Sequence, residues 1–515
     1  MKAELGQLGS GGLIEDIKSY DLPPNIFNDT LNVEFDGFVI KPMVKEVAVF
    51  DPLPETREPV ALMQAFVAGN IFVYVAACED SIWLWYMDAW HNITPKEFND
   101  SLEWNIFPFN GYVIIHSSNN YPFYLNPFDF LKPLEVVPSW PEAYFTKYLF
   151  GFSGFLIGLG LTSSDGYFDR QLIFWSNVAE IGQLPADFAF TDPTSRAGFT
   201  TLPDAEDFIV AKELQNYYVI YRSKSIYNLR FVGGNSVFVF ERKVRNTSLL
   251  NALSVVEVDN LHFFIGKDNF YFYDGFTATP VGEGKIVNTF FATAKLSLVQ
   301  VQLDADLERI FIYYGIGEDS VCTLAYIMRY KLGLFFKREV NGAQAFSAGY
   351  IPANYNAVAW EDLTVTWAEW EDTWEITYQD DRNSKILWMS GSQAYYLPNT
   401  GVYLAAYARR HNLAFTATDQ TGAVTLNRAL HKMVKKLWPE MDKGSLNVLF
   451  GTKATQNSAY VWGVSKPFNP AISLYQDWIV ASKFIGIEFN NYNAVSPTYF
   501  ELTGVGFEIE PKGKY

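Results

Sequence analysis

"LHFFIGKDNFYFYDG", residues 261–275, places two apolar runs, Phe263 to Ile265 and Phe270 to Tyr273, on either side of the turn-formers Gly266 to Asn269. That spacing predicts a hairpin. Aromatic side chains fit a pleated, half-buried surface, and Gly, Asp and Asn tolerate the backbone angles of a tight reversal. The same pattern recurs in "NIFVYVAA" (70–77), "GYVIIHSS" (111–118), "FLIGLGLTSSD" (155–165), "QLIFWSN" (171–177), "YYVIYRSKSIYNLRF" (217–231), "RIFIYYG" (309–315), "CTLAYIMRYKLGLFFKRE" (322–339) and "KILWMSGSQAYYL" (385–397). Hairpins repeated without alternating helices predict an all-β chain, and a divergent β-propeller before a pair of β-sandwiches. Radial repetition also lets 515 residues fold without long exposed edges.

The composition points the same way. Phe, Tyr and Trp number 43, 31 and 14, together 17% of the chain, against 19% charged residues. The net charge of −18 argues against a surface that grips phosphates, because such surfaces carry Lys and Arg stripes. It leaves open a surface past which DNA slides without sticking. The start "MKAELGQLGSGGL" (1–13) has no apolar core, so no signal peptide is expected. The most apolar run, "LFGFSGFLIGLGL" (149–161), is shorter than the roughly 20 residues a bilayer needs and predicts buried strand. The expectation is a soluble protein made in the cytoplasm, with no membrane-spanning segment.

Residues with chemistry to offer are scattered. Cys78 and Cys322 have no metal or redox spacing and read as buried small hydrophobes. His91, His116, His262, His411 and His431 form no HxH or HExxH pattern. "GEGK" (282–285) lacks the long glycine loop and following Ser/Thr of a phosphate-binding loop and reads as a turn. The pairs Glu361/Asp362 and Glu371/Asp372 lack a fold-anchored glycosidase spacing, and "SSDGYFD" (163–169) does not fit a sialidase box. No catalytic, cofactor-binding or metal residue is assigned, and the chain is not expected to be an enzyme.

Two segments allow more than one reading. In "AWEDLTVTWAEWEDTWEITY" (359–378), Trp360, Trp367 and Trp374 lie seven apart, but two heptads are too few for a coiled coil, and the Thr and Val residues between them disfavour helix. An extended segment pegged by its tryptophans onto the propeller or a neighbouring subunit is favoured over stacking on sugars or bases. In "LNRALHKMVKKLW" (426–438), Leu426, Leu430, Met433, Val434 and Leu437 follow a helical period with Arg428, Lys432, Lys435 and Lys436 elsewhere on the wheel. Helix and basic strand pair both remain open on periodicity.

A resemblance covers most of the chain. "GGLIEDIKSYDLPPNIFNDTLNVEFDGFVIKP" (11–42), with Leu22-Pro23-Pro24-Asn25, Asp29, Asn32-Val33 and Asp36-Gly37, resembles the N-terminal signature of the tail nozzle, or tail tubular protein B type, of short-tailed bacteriophages. "FSGFLIGLGLT" (152–162), "RQLIFWSN" (170–177), "YYVIYRSKSIYNLRFVGG" (217–234), "FFIGKDNFYFYDG" with "PVGEGKIVNTFF" (263–291), "RYKLGLFFKRE" (329–339), the repeated W-x-D-L-x-x-T-W stretch and the end "VSKPFNPAISL" to "LTGVGFEIEPKGKY" follow in that family's order. Departures are Val365 and Asp372, where the family has Gly, and "VASKFIGIEF" (480–489), which lacks its usual Arg.

The resemblance implies an extended N-terminal arm or platform segment over 1–45, a β-propeller with inserted loops over 46–400, and a C-terminal β-sandwich-like platform over 401–515. It moves the 426–438 segment towards strand. It further implies a structural virion protein of the tail: a homohexamer beneath the portal and adaptor (head-to-tail connector) rings, which extends and closes the DNA ejection channel and anchors tail fibres or spikes. Genomic DNA would pass through the lumen without sequence-specific binding. Six copies at −18 carry −108, an acidic tube that repels phosphates. Pro23, Pro24 and Asn25 are the candidates for an arm docking on a neighbouring ring, and Trp360, Trp367 and Trp374 for interface pegs. A glycan-binding or glycan-cleaving propeller that binds receptors is the second reading.

Overall fold

The computed structural model describes all residues except 1, 70, 164–167, 235, 352–383, 414, 420–421, 427–430, 493–495 and 514–515. The chain is all-β, with one short helix, Val287–Thr293, among the described residues. Its main body is a divergent β-propeller, with seven four-stranded antiparallel sheets among the described residues. In chain order these are blade 1 (59–92), blade 2 (104–136), blade 3 (144–201), blade 4 (208–245), blade 5 (255–281), blade 6 (294–343) and blade 7, built from Ala345–Gly349, Lys385–Ser390, Gln393–Tyr396 and Val47–Ala48. The opening stretch forms two strands of blade 5, Leu261–Ile265 and Phe270–Tyr273, and the Gly266 N–H bonds Asn269 O at 2.8 Å across the turn.

Side chains explain why the sheets stand radially. Strands alternate in and out of a sheet, and a blade buries both faces only if neighbours cover both. Hydrophobic clusters accordingly sit between blades. Val75 and Leu84 of blade 1, which a lone hairpin would leave in solvent, meet Val113 and Ile115 of blade 2. Leu149 and Phe174 of blade 3 meet Phe109 and Ile114 of blade 2, and Tyr221 of blade 4 meets Phe264 and Tyr273 of blade 5. The apolar run at 149–161 enters Phe155–Ser163, buried along nearly its whole length. Its hairpin turns on Ser153 (φ 50°) and Gly154 (φ 82°), two left-handed residues that match strand twist. Gly158 in the same strand has no substitute, since a Cβ there would lie 2.5 Å from the Phe174 ring.

The ring closes with a strand from the other end of the sequence. Val47–Ala48 pairs with Tyr395 and Tyr396 as the outer strand of blade 7. Blade 7 is stitched to blade 1 by Gln64 N–H to Ser347 Oγ (3.1 Å) and Tyr350 N–H to Gln64 Oε1 (3.0 Å).

A β-sandwich uses both chain ends. In one sheet Lys2–Leu5 lies between Phe500–Gly513 and Phe415–Asp419, Val33–Phe35 and Ile40–Pro42 extend the far side, and His431–Gly444 bridges Phe500–Gly513 to Gln476–Ser482. The other runs Asp29–Leu31, Tyr407–Arg410, Phe484–Asn490, Leu446–Lys453, Val461–Trp462, with Lys466–Phe468 also on Leu446–Lys453. Phe35, Val505 and Phe507 face Val448, Ile487 and Phe489, and this core continues to Phe336 and Trp388 of blades 6 and 7. The extended N-terminal arm thus runs along the sandwich before its last strand enters the propeller.

The described part of the 426–438 segment is strand, not helix. Partners on both sides, Phe500–Gly513 and Gln476–Ser482, satisfy its backbone, and a bulge between Val434 and Lys436 resets the alternation. That bulge is why buried Val434 and Leu437 lie three apart and mimic a helical period.

Burial keeps three histidines neutral: it pushes His116 down to about 3, His262 to about 4 and His411 to about 4 from an ordinary 6.5. The unfolded chain takes up these protons near 6.5 and the folded one does not, so stability is full above 6.5 and falls as pH drops towards 4. His262 bridges the Tyr221 hydroxyl (2.9 Å) and Glu213 O (2.6 Å). His262→Gln is expected to flatten the fall in urea-unfolding free energy by up to about 1.4 kcal/mol per pH unit. Equal slopes in variant and parent would contradict this.

Candidate functional site

Pro23, Pro24 and Asn25 lie in a loop of the arm whose backbone is held within the chain. Buried Arg410 donates from Nη1 to Ser19 O (2.7 Å) and from Nη2 to Leu22 O (2.9 Å). Ile26 N–H bonds Pro23 O at 3.2 Å, and Asn25 Nδ2 donates to Ser10 Oγ at 3.3 Å. Gly11 leaves room for this turn, since a Cβ there would lie 2.3 Å from Asn25 O. Pro23 itself is exposed. Trp360, Trp367 and Trp374 lie outside the described residues, as do the acidic pairs beside them. The structure therefore places the proline loop on the sandwich.

The arm also straps the sandwich to blade 6. Asn32 is fully buried in a left-handed conformation (φ 58°), and its amide donates to Ala405 O (2.8 Å) and Glu339 Oε2 (3.1 Å). Its N–H bonds Lys337 O (2.8 Å), and its Oδ1 accepts from Glu339 N–H (2.8 Å). One side chain thereby ties arm, blade and C-terminal segment together. Around it, Lys337 pairs with Glu15 (2.7 Å), Arg338 with Glu46 (2.7 Å), and Arg309 with Asp304 (2.7 Å) and Glu34 (3.5 Å). These contacts join the sandwich to blade 6 through buried and half-buried side chains.

Apolar periodicity gives no signal for exposure in the segment 461–479 of the sandwich. Val461, Val464, Ile472, Leu474 and Ile479 are each 73–88% exposed. Gln476–Ser482 is an edge strand, paired among the described residues only with His431–Gly444, and sends Gln476 and Trp478 inward while Ile479 points to solvent. Lys466 stacks over Trp478 at 4.3 Å, and Lys436 over Tyr475 at 4.5 Å, so cation stems hold the edge in place. Several large apolar side chains are thus exposed on and near a strand edge that is unpaired among the described residues.

Among the described residues no group of three or more His, Cys, Asp or Glu could hold a metal ion. Burial raises both thiols, Cys78 and Cys322, to about 12, which leaves them protonated and unreactive. No helix among the described residues is long and apolar enough to cross a membrane.

No family model matches the chain, and no curated protein matches it. Among solved structures it is similar to the AfRom2 CNH domain, at 8% identity and a TM-score of 0.38, over 69% of this chain and 100% of that one. It is also similar to YCF48 from Cyanidioschyzon merolae, at 10% identity and a TM-score of 0.32, over 52% and 97%. Likenesses at this level carry no functional argument.

Proposed function

We propose that the chain is a structural virion protein of a short-tailed phage, six copies of which form the tail nozzle below the portal and adaptor, extend and close the ejection channel, and anchor fibres or spikes. The observation that carries this reading is the exposed apolar edge at 461–479 on a subunit whose two bodies are rigidly strapped. A ring needs one patch per subunit that leaves water on assembly, and a subunit that does not bend under load. The ordered resemblance of the sequence to nozzle proteins supports the same reading, and the charge of −18 suits a lumen that DNA traverses without binding.

The test is the native mass of the purified chain, alone and mixed with its portal and adaptor complex. Six copies on the adaptor with an open axial channel are expected. Ile479→Lys, which places a charge on an already exposed position, is expected to leave the monomer folded and weaken ring formation at least about tenfold. A persistent monomer that ignores the adaptor would sink the nozzle reading.

A further inference from the structure

We infer that the outer face of the sandwich carries a binding site for a neutral saccharide. The six-stranded sheet bears a cavity of about 470 Å³, lined by Arg409, Asn447, Trp462, Glu488, Asn490 and Tyr492 among others. That volume lies in the range of small-ligand pockets, roughly 300–1,000 Å³.

Its floor is a chain of planar polar groups. Arg409 donates from Nε to Glu488 Oε2 (2.7 Å), Asn490 Nδ2 donates to Glu488 Oε1 (2.7 Å), and Asn447 Nδ2 donates to Asn490 Oδ1 (3.2 Å). Glu488 is 3% exposed. A buried carboxylate fixed on both oxygens keeps lone pairs in a set direction, and the Asn447 amide oxygen adds an acceptor. Such planar groups match the paired hydroxyls of a sugar.

The wall is aromatic and held rigid. Trp462 stacks with Tyr460 (5.7 Å), which stacks on His411 (4.7 Å). Two glycines make room for the indole: a Cβ on Gly451 would lie 2.9 Å from it and one on Gly486 3.4 Å. Trp462 itself is half-buried, so the cleared space serves a ring that still meets solvent. An aromatic plane beside polar forks suits the apolar face of a pyranose.

Charge selects against anions. Arg409 is the cation lining the cavity, and Glu488 and Asp29 (3.1 Å from Nη1) both compensate it, leaving one excess negative charge among the three. A phosphate or carboxylate ligand would be repelled, whereas a neutral polyol would not.

Saturation-transfer difference NMR tests this on the full chain, with maltotetraose, cellotetraose, chitotetraose and mannotetraose as probes and sialyllactose and inorganic phosphate as anionic comparators. Transfer to at least one neutral oligosaccharide at millimolar concentration is expected. Trp462→Ala should weaken it at least about tenfold, and Ser465→Trp, which fills the cavity from an exposed lining position, should abolish it with unfolding temperature unchanged. Should Trp462→Ala fail to fold, Ser465→Trp decides. No transfer to any neutral probe, transfer that Ser465→Trp leaves intact, or preference for the anions would overturn the assignment. Trp462 and Ser465 lie within the 461–479 segment proposed as the ring contact, so the spectra are recorded on chain shown to be monomeric by its native mass, where failure of this assignment and failure of the nozzle reading are read separately.

Discussion

A chain that starts at residue 49 should fail to fold, giving aggregated protein without a cooperative unfolding transition. The deletion removes the strands Lys2–Leu5, Asp29–Leu31, Val33–Phe35 and Ile40–Pro42 from the sandwich and Val47–Ala48 from blade 7. With them go Leu8, Leu13, Leu22, Phe27, Val33, Phe35, Ile40 and Met43, each at most 6% exposed. At about 1.5–3 kcal/mol per buried side chain, their loss matches or exceeds the roughly 5–15 kcal/mol that keeps an ordinary domain folded. Backbone groups of Phe500–Gly513 would also lose a partner strand, Lys2–Leu5, on one side. Co-expression of a peptide spanning residues 2–48 should restore soluble protein. Soluble 49–515 that unfolds at the parental temperature would show that the arm is an accessory.

Glu46→Ala should cost about 3–5 kcal/mol in urea unfolding. The side chains of Glu46 and Arg338 are 7% and 4% exposed, and their 2.7 Å contact is seconded by Arg338 Nη1 to Val44 O at 2.9 Å. Burial lowers the Arg338 pKa and Glu46 raises it back, so removing the carboxylate leaves a buried guanidinium without its counter-charge. Arg338→Met made together with Glu46→Ala removes both charges and should recover most of the loss. A double variant as unstable as the single one would place the cost in packing around residue 46, not in the orphaned charge.

The legible and illegible parts of the chain divide along a physical line. Hairpins are legible because both partners lie within about 20 residues and their turns carry Gly, Asn or Asp, as at Ser153-Gly154 and Gly266 to Asn269. Pairings such as Ala48 with Tyr395 or Lys2 with Glu508 leave no local trace, since nothing in a short strand encodes a partner hundreds of residues away. The 431–438 strand imitates a helix because its bulge shifts the alternation by one residue. Ile472, Leu474 and Ile479 read like any other apolar residues of a β-segment; only their exposure sets them apart, and exposure is a tertiary property. The cavity around Trp462 is hidden for a related reason: Arg409, Asn447 and Glu488 converge from three strands.

The pairing of Lys2–Leu5 with residues 505–508 also sets a clock on biosynthesis. The first strand leaves the ribosome far ahead of its partner, by on the order of a minute at ordinary elongation rates. Through that interval Val33, Phe35 and Ile40 lack Val505 and Phe507, and the Phe336 and Trp388 side of their core becomes available earlier. Val47–Ala48 likewise waits for blade 7, so the propeller remains an open arc until Gln393–Tyr396 appears. A message cut short anywhere before residue 500 therefore yields a chain without Phe500–Gly513, the strand that pairs with Lys2–Leu5. Closure of the fold thus waits on synthesis: Lys2–Leu5 gains its partner only once residues 505–508 are made, and Val47–Ala48 only once Gln393–Tyr396 is made.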